Sequence, residues 1–321
     1  MKTKRFIIPG LLMILLAACE PVELEIPDSP LTPVSGRQTA DSVWTLTILA
    51  DKGVDTKALD LTNEGNTLNT YWKETEKVFV YKGGTSLGTL SVQPATGDKP
   101  TTATLTGSIN TSGLAQNDVL TLYTPRTTWN YAGQNGALTG TGSIEDTYAY
   151  ASATVSVKSI DNENHTISTS GARFTNEQSI YRFQFLLNGN AASPVIVKDF
   201  LLWSSDKEAL VQKRELVNNE WTSTKGFLCV KPDSDTSEPL YVAIRNEMDT
   251  PSAEDISAHK VVDTYNFVLT GSNHELYLAS KGIPAHVLDA PGKFISATTI
   301  EAKQPDFSPA EGNISSTQGV F

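Results

Sequence analysis

The sequence predicts an all-β protein built from two consecutive β-sandwich domains. The first reason is that apolar residues alternate with polar ones, at a period of two, in many short runs. The second is that Gly, Asn, Asp and Pro separate these runs at short intervals, which favours sandwiches over βαβ units. The third is that no long stretch has the periodicity of an amphipathic helix.

The first series of runs lies in the N-terminal half. In VWTLTILA, Trp44, Leu46, Ile48 and Ala50 fall on one face of a predicted strand. Runs of the same kind are KVFVYKGG, TATLTGSI, DVLTLYTP and ATVSVKSI. Together they predict a β-sandwich over residues 38–171.

The second series predicts a β-sandwich over residues 172–300. SIYRFQFLL aligns Tyr181, Phe183, Phe185 and Leu187, and PVIVKDFLLW is apolar enough for a strand covered on both faces. The other runs are PLYVAIRN, TYNFVLTG, HELYLAS and GKFISATTI. Only DISAHKVVDT and IPAHVLDAPG are predicted to form short helical turns. Residues 301–321 are predicted to be a polar tail.

The N-terminus has the pattern of an export signal. Lys2, Lys4 and Arg5 precede an apolar run over residues 6–16, which is too short to span a bilayer. The leucine, two alanines and Cys19 that end the run resemble the bacterial lipobox. That resemblance implies a signal peptide over residues 1–18, and a lipid on Cys19 that anchors the mature chain in the outer membrane.

The charge of the mature chain limits its partners. Removing the three basic residues of the signal lowers the formal net charge from −11 by three, to −14. Nucleic acids and anionic lipid headgroups need a positive surface, so no nucleic-acid partner is expected.

No pattern of residues indicates catalysis, a metal or a cofactor. The four histidines, none at metal-ligand spacing with another, are His165, His259, His274 and His286. The sequence contains no G-x-S-x-G, H-E-x-x-H or phosphate-binding loop. DSDTSE at 233–238 lacks the glycine and distal glutamate of a calcium loop. We therefore expect no catalytic residue, no metal site and no cofactor, and an enzyme is the least favoured class.

Two aromatic stretches are candidate ligand sites. PRTTWNYAGQNG carries Trp129 and Tyr131, and NNEWTSTKG carries Trp221. Aromatic faces beside amide side chains can stack on a sugar or peptide and bond to it. Alternatively, the tryptophans fold back over the end of a sandwich. The sequence leaves both interpretations open.

Several stretches, taken in order, resemble the fimbrillin family of lipoprotein pilins from Bacteroides-type bacteria. They are TLNTYWKETEKVFVYKGGTSLGTL (67–90), NDVLTLYTPRTTWNYAGQNGAL (117–138), DTYAYASATVSV (146–157), FTNEQSIYRFQFLL (174–187) and GKFISATTI (292–300). Each is a strand-and-turn pattern, and the resemblance rests on their order behind a lipobox. It implies two transthyretin-like β-sandwiches in tandem.

The resemblance also implies assembly by strand exchange. In fimbrillins a protease removes an N-terminal strand, and a strand from another subunit fills the resulting groove by β-augmentation. The matching strand here is VELEI, in which Val22, Leu24 and Ile26 share one face. Prolines bracket it, as suits an edge strand.

Arg37 is the predicted cleavage position. It follows the Pro-rich stretch 27–36 and is the only Arg or Lys between Cys19 and Trp44. Cleavage between Arg37 and Gln38 would remove residues 19–37, a lipidated tether that includes the strand. A plain tether that is never cut is the alternative.

The sequence thus favours a fimbrial subunit on the outer surface of a Gram-negative cell, with other fimbrial subunits as partners and adhesion to a host protein or glycan as its role. Only Ile314, Val320 and Phe321 give the tail an apolar pattern, which is thin for a donor strand. A tip subunit, an uncleaved anchor and a monomeric glycan-binding lipoprotein are the alternatives.

Overall fold

The computed structural model describes residues 43–52, 71–206, 209–218, 220–288, 292 and 294–305. The predicted signal peptide, the tether with its lipidation and cleavage positions, and the tail beyond Pro305 lie outside these residues. No helix in the described ranges is both long enough and apolar enough to cross a membrane.

Within the described residues, the first sheet contains nine strands. They are β1 (Val43–Asp51), β2 (Lys77–Lys82), β3 (Thr85–Pro94), β4 (Thr102–Asn110), β5 (Val119–Thr124), β7 (Ala151–Asp161), β8 (Thr166–Thr169), β9 (Ala172–Arg173) and β10 (Thr175–Asn176). A short strand, β6 (Thr128–Asn130), lies between β5 and β7 in the chain and belongs to another sheet.

The first sheet closes on itself. Its order is β10-β7-β5-β2-β3-β4-β1-β8, and β8 also pairs with β7. Strand β1 pairs with β4 along its whole length in antiparallel register. On its other side β1 makes two parallel pairs with β8 and two with β9, and positions 47–49 have no ladder partner there among the described residues. The first sheet is therefore a barrel whose parallel seam is interrupted.

Alternate residues of β1 fill this barrel, as their period of two predicts. Trp44, Leu46, Ile48 and Ala50 are buried and the residues between them are exposed. They join a core to which the other strands contribute chiefly Val, Leu, Ile and Ala.

A buried ion pair fixes the end of β1. The Lys52 ammonium lies 2.6 Å from a Glu76 carboxylate oxygen, donates to the Tyr71 carbonyl at 2.9 Å, and sits 4.3 Å from the centre of the Trp72 ring. Burial lowers the pKa of Lys52, although Glu76 opposes that shift. This pair joins the end of β1 to the segment that leads into β2.

In the part of the chain that the structure describes, the second sheet contains seven strands, and a third, smaller sheet packs beside it. The seven are β11 (Ser179–Leu187), β12 (Val197–Ser204), β15 (Leu228–Val230), β16 (Leu240–Ile244), β17 (Val261–Gly271), β18 (Leu276–Pro284) and β19 (Phe294–Lys303), in the order β15-β12-β17-β18-β19-β11-β16. The small sheet has the order β14-β13-β6, with β13 (Val211–Val217) and β14 (Glu220–Lys225) from the C-terminal half. Helices α1 (Ala253–Ser257) and α2 (Ala285–Leu288) are single turns.

The all-β fold class and the two consecutive sheet domains are confirmed. Tyr181, Phe183 and Phe185 are buried on one face of β11, and neighbouring residues 200–202 of β12 are all buried, as the apolar run predicts. Both predicted helical turns are present as α1 and α2. Strands of the first sheet run to Asn176 and those of the second begin at Ser179, a few residues after the boundary predicted between 171 and 172. Strand β19 continues past the predicted end at residue 300.

The close approach of β3 and β4 gives a test of this packing. A Cβ added at Gly107 would lie 2.4 Å from the carbonyl oxygen of Thr89 and 3.0 Å from the Cα of Leu90, both backbone atoms. We expect Gly107→Ala to lower the free energy of unfolding by about 1–3 kcal/mol, because the strands must separate.

Urea unfolding measures this effect, with Gly171→Ala as the control. A Cβ at Gly171 meets the Leu49 carbonyl at 3.5 Å, an ordinary contact, so the control should change stability by less than about 0.5 kcal/mol. Equal effects of the two substitutions would contradict the register of β3 and β4.

Candidate functional site at the junction of the two sheets

The three aromatic residues predicted to bind a ligand lie together where the two halves of the chain meet. Trp129 and Tyr131 are 0% exposed, whereas Trp221 is half-buried. Trp129 lies on β6, and Trp221 on the neighbouring hairpin of β13 and β14. An exposed stacking platform requires accessible ring faces, so Trp129 and Tyr131 cannot provide one in this structure. They belong to the hydrophobic core.

A row of aromatic rings crosses from the first barrel to the second half. Tyr123 on β5 lies 5.2 Å from Trp221, and the indole N–H of Trp221 donates to the Tyr123 hydroxyl at 3.1 Å. Trp221 packs 4.1 Å from Trp129, which lies 5.9 Å from Tyr150. Tyr150 meets Tyr131 edge-on at 5.4 Å. Each such pair contributes about 0.5–1.5 kcal/mol beyond the area it buries.

Five charged side chains surround this row. Arg245 pairs with Glu177 at 2.5 Å and with Glu247 at 3.3 Å. Glu247 also pairs with Arg214 at 3.1 Å and with Lys225 at 2.6 Å. Along the chain, Glu177 falls between the last strand of the first sheet and the first strand of the second. The other four charged residues belong to the C-terminal half. Because each charge has an opposite neighbour, the cluster tolerates partial burial.

The guanidinium groups also pack on the indole rings. The guanidinium of Arg214 lies 4.8 Å from the centre of Trp221 and 5.2 Å from that of Trp129. Burial, and then the like charge of Arg245, lower the pKa of Arg214. Stacked cations and rings of this kind are stabilised when water is excluded.

Tyrosine hydroxyls hold the chain between β5 and β7 in place. The Tyr150 hydroxyl accepts from the Asn130 amide at 3.1 Å and donates to the Asn130 carbonyl at 3.2 Å. The Tyr148 hydroxyl, in a π-helical turn at Ile144–Tyr148, donates to the Ala132 carbonyl. Burial raises the pKa of Tyr148 and of Tyr150, so both hydroxyls stay protonated.

Segment 134–136 from the N-terminal half completes the second sheet. The sheet ends in β15 on one side and β16 on the other, and both bind this segment. The Lys231 amide donates to the Gln134 carbonyl at 2.8 Å, and the Tyr241 amide donates to the Gly136 carbonyl at 2.8 Å. The Gln134 side chain accepts from the Ala243 amide and donates to its carbonyl, both at 2.8 Å. The second sheet is thus closed by a piece of the first half.

The sequence explains why this segment can lie there. Gly136 has φ +71°, and a Cβ there would lie 2.6 Å from the Leu240 side chain, so a larger residue would strain the backbone and require Leu240 to move. Gln134 is 1% exposed, and its side-chain nitrogen also donates to the Tyr131 carbonyl at 2.9 Å. Both the nitrogen and the oxygen of its side-chain amide therefore have hydrogen-bond partners. An amide side chain here mimics the peptide group that an edge strand would otherwise supply.

The junction consists of packed aromatic rings, ion pairs and backbone hydrogen bonds that join the two halves of the chain. The part of the chain that the structure describes contains no group of three or more His, Cys, Asp or Glu side chains that could hold a metal ion. The sequence analysis found the aromatic residues of the junction but missed Gln134, Gly136, Glu177 and Arg245.

The closing role of Gln134 gives a test. Gln134→Leu keeps the size of the side chain but leaves the amide and carbonyl of Ala243 and the carbonyl of Tyr131 without partners. We expect the free energy of unfolding to fall by at least about 2 kcal/mol, because buried unsatisfied groups are costly. Hydrogen exchange at the Ala243 amide should accelerate.

Gln93→Leu serves as the matched control, since Gln93 is exposed on β3. This variant should change stability by less than about 0.5 kcal/mol. A Gln134→Leu protein as stable as the wild type would show that the segment does not hold the second sheet together.

The charge cluster predicts a dependence of stability on pH. Burial opposes ionisation of Glu247, but hydrogen bonds from Lys225 and Ser223 outweigh it and lower its pKa below 4.5. A depressed folded-state pKa gives stability that is full above about pH 4.5 and is lost as the pH falls through the folded value. Glu247→Gln should therefore lose less stability than the wild type between pH 6 and pH 3.

Unfolding by urea at the two pH values measures this difference. Glu163→Gln is the control, because Glu163 is an exposed turn residue outside the cluster. Identical pH dependence in the wild type and Glu247→Gln would exclude a linkage between folding and this carboxylate.

The comparisons with known proteins find similarity only among solved structures. No protein-family profile matches the chain, and no curated protein matches its sequence. A fimbrial assembly protein from Parabacteroides distasonis aligns over 81% of this chain and 94% of its own, at 8% identity and a TM-score of 0.36. The tip fimbrial protein Mfa3 from Porphyromonas gingivalis aligns over 82% and 98%, at 11% identity and a TM-score of 0.35.

A proposed cell adhesion protein from Bacteroides uniformis aligns over 73% of this chain and 84% of its own, at 14% identity and a TM-score of 0.36. These similar structures are fimbrial and adhesion proteins from the kind of bacteria whose fimbrillins the sequence resembles. Because the identities are low and the TM-scores lie below 0.5, the alignments transfer no function to the chain.

Proposed function

We propose that this chain is a structural subunit of a bacterial surface fimbria, exported as a lipoprotein and joined to other subunits by β-strand exchange. One observation carries the proposal: three of the five stretches that resemble fimbrillins contribute side chains to the junction. Stretch 117–138 supplies Trp129, Gln134 and Gly136, stretch 146–157 supplies Tyr148 and Tyr150, and stretch 174–187 includes Glu177 and continues into β11.

A fibre subunit must transmit force from one end to the other, and the junction fits that requirement. Segment 128–150 leaves the first barrel between β5 and β7 and contributes buried side chains to the core of the second half. Pulling the two halves apart would break the aromatic row, the ion pairs and the backbone bonds of Gln134 together. A flexible hinge between the two halves would contain few such contacts.

The interrupted seam of the first barrel supports strand exchange. Strand β1 follows the predicted cleavage position after only a few residues, and on its parallel side positions 47–49 have no ladder partner in the part of the chain that the structure describes. We propose that VELEI, with Val22, Leu24 and Ile26, occupies a groove of the first barrel in the precursor. Cleavage between Arg37 and Gln38 would remove it, and a strand from another subunit would take its place.

The same proposal places the precursor at the outer membrane. In it, Cys19 carries lipid, residues 1–18 are the signal, and residues 19–37 form the tether that cleavage removes. The mature chain then consists of two units, 38–171 and 172–300, with tail 301–321. Adhesion to a host protein or glycan would be the role of the assembled fibre.

Replacing the cleavage arginine tests assembly. Arg37→Ala, expressed in the native bacterium, should keep the lipidated N-terminus and accumulate as monomer, whereas the wild type should begin at Gln38 and form multimers that resist heating. Intact mass, N-terminal sequencing and gel migration of surface material measure both.

Arg173→Ala is the control, because Arg173 is an exposed arginine in the first sheet that lies far from the tether in sequence. It should be processed and assembled like the wild type. A wild-type chain that still begins at Cys19 and remains monomeric would contradict strand exchange, and would favour an uncleaved anchor or a monomeric binding lipoprotein.

A further inference from the structure

A groove of about 520 Å³ lies on the second sheet, away from the junction. Among the residues that line it are Trp203 on β12, Asn266 on β17, and Leu278 and Ser280 on β18. Its volume falls within the range of about 300–1,000 Å³ that is usual for small-molecule pockets. The groove shares no residue with the aromatic row or the charge cluster, and the fimbrial proposal does not use it.

The register of the sheet sets three of these side chains in a row. Trp203 pairs with Asn266, and Asn266 pairs with Ser280. The adjacent residues Leu202 and Phe267 are buried in the core, so by alternation the row lies on the opposite, outer face of the sheet. Neighbouring strands are about 4.8 Å apart, and the row therefore spans about 10 Å.

The row presents hydrogen-bonding groups that the described residues leave unused. The side-chain nitrogen of Asn266 donates to the Ser205 hydroxyl at 3.0 Å and to the Thr264 carbonyl at 3.3 Å, which orients the amide. The Asn266 side-chain oxygen, the Ser280 hydroxyl and the Trp203 indole N–H have no hydrogen-bond partner in the part of the chain that the structure describes. Trp203 and Asn266 are half-buried and Ser280 is exposed, so a ligand can reach all three.

Trp203 differs from the tryptophan at the centre of the junction. Trp129 is 0% exposed and packs against other rings, whereas Trp203 is half-buried. Leu278 is 44% exposed and lies two residues before Ser280, on the same face of β18. An indole ring and an apolar neighbour beside amide and hydroxyl groups suit a ligand with one apolar face and a polar edge.

The charges at the rim of the groove are already paired. The Lys303 ammonium lies 3.1 Å from the Glu301 carboxylate. The side-chain nitrogen of Gln304 donates to the Glu275 carboxylate at 2.6 Å. A charged ligand would compete with these contacts, so the ligand that fits is neutral.

The floor of the groove does not favour a peptide. Strand β17, which carries Asn266, is paired with β12 on one side and with β18 on the other. Recognition of an extended peptide by β-augmentation needs a free strand edge. Recognition at this row must therefore come from side chains.

We propose that this groove binds a neutral sugar ring of a glycan, with the C–H face of the ring against Trp203 and Leu278. One ring hydroxyl donates to the Asn266 oxygen, and another bonds to the Ser280 hydroxyl. Binding requires neither cleavage nor assembly, so this inference is independent of the proposed function.

The test uses the full mature chain labelled with ¹⁵N, because its five tryptophans give five indole N–H resonances. Trp203→Phe identifies the Trp203 resonance by its absence. The probes are maltose, cellobiose, lactose and N,N′-diacetylchitobiose. We expect at least one of them to shift the Trp203 resonance and to leave that of Trp129 in place.

Calorimetry of variants measures the contribution of each side chain. Trp203→Ala should weaken binding at least about tenfold, because it removes the stacking surface. Ser280→Ala should weaken binding about threefold without lowering stability, because the exposed hydroxyl has no partner among the described residues. Ser108→Ala is the matched control, since Ser108 is an exposed serine on β4 of the first sheet, and it should bind as the wild type does.

Four outcomes would overturn the assignment. They are no shift of the Trp203 resonance with any disaccharide, shifts confined to other indole resonances, unchanged affinity in both Trp203→Ala and Ser280→Ala, and preferential binding of short peptides. A Trp203 resonance that moves without sugar when the chain is ended at Pro305 would likewise contradict it, by showing that the tail occupies the groove. Because the assay uses the monomeric chain, its failure would leave the assembly proposal unaffected.

Discussion

The insertion of segment 134–136 between β15 and β16 is the constraint on which the rest of the structure depends. A seven-stranded sheet with two open edges would expose a row of unpaired backbone groups on each side. Here one short segment satisfies both edges, through the carbonyls of Gln134 and Gly136 and the side-chain amide of Gln134. Since that segment belongs to the first half of the chain, the second sheet cannot close without it.

This constraint explains where the large aromatic residues are found. To reach the second sheet, the chain between β5 and β7 must cross the boundary, and its path is lined by Trp129 and Tyr131 before the insertion and by Tyr148 and Tyr150 after it. Burying these rings contributes hydrophobic free energy, and the Trp129 indole N–H and the Tyr148 and Tyr150 hydroxyls donate to nearby backbone carbonyls. The charged cluster then covers the exposed side of the row. The junction is therefore a core and not a surface between two independent domains.

Sequence patterns predicted the strands well and the junction poorly, for a physical reason. In VWTLTILA and SIYRFQFLL, apolar residues at every second position indicate which face of the strand is buried, because each strand packs against the core on one face. PRTTWNYAGQNG and NNEWTSTKG were predicted only as candidate ligand sites, yet they contain β6 and the whole of β14. Their burial and pairing come from partners distant in sequence, which local composition does not encode. The partnership of Glu177 with Arg245 is equally non-local, so no motif could have indicated it.

The most direct test of this account is differential scanning calorimetry of the full mature chain. If segment 134–136 makes the two halves one cooperative unit, heating should give a single transition whose calorimetric and van't Hoff enthalpies agree. Two separated transitions, or a calorimetric enthalpy about twice the van't Hoff value, would show that the halves unfold independently. That result would contradict the central role assigned to the inserted segment.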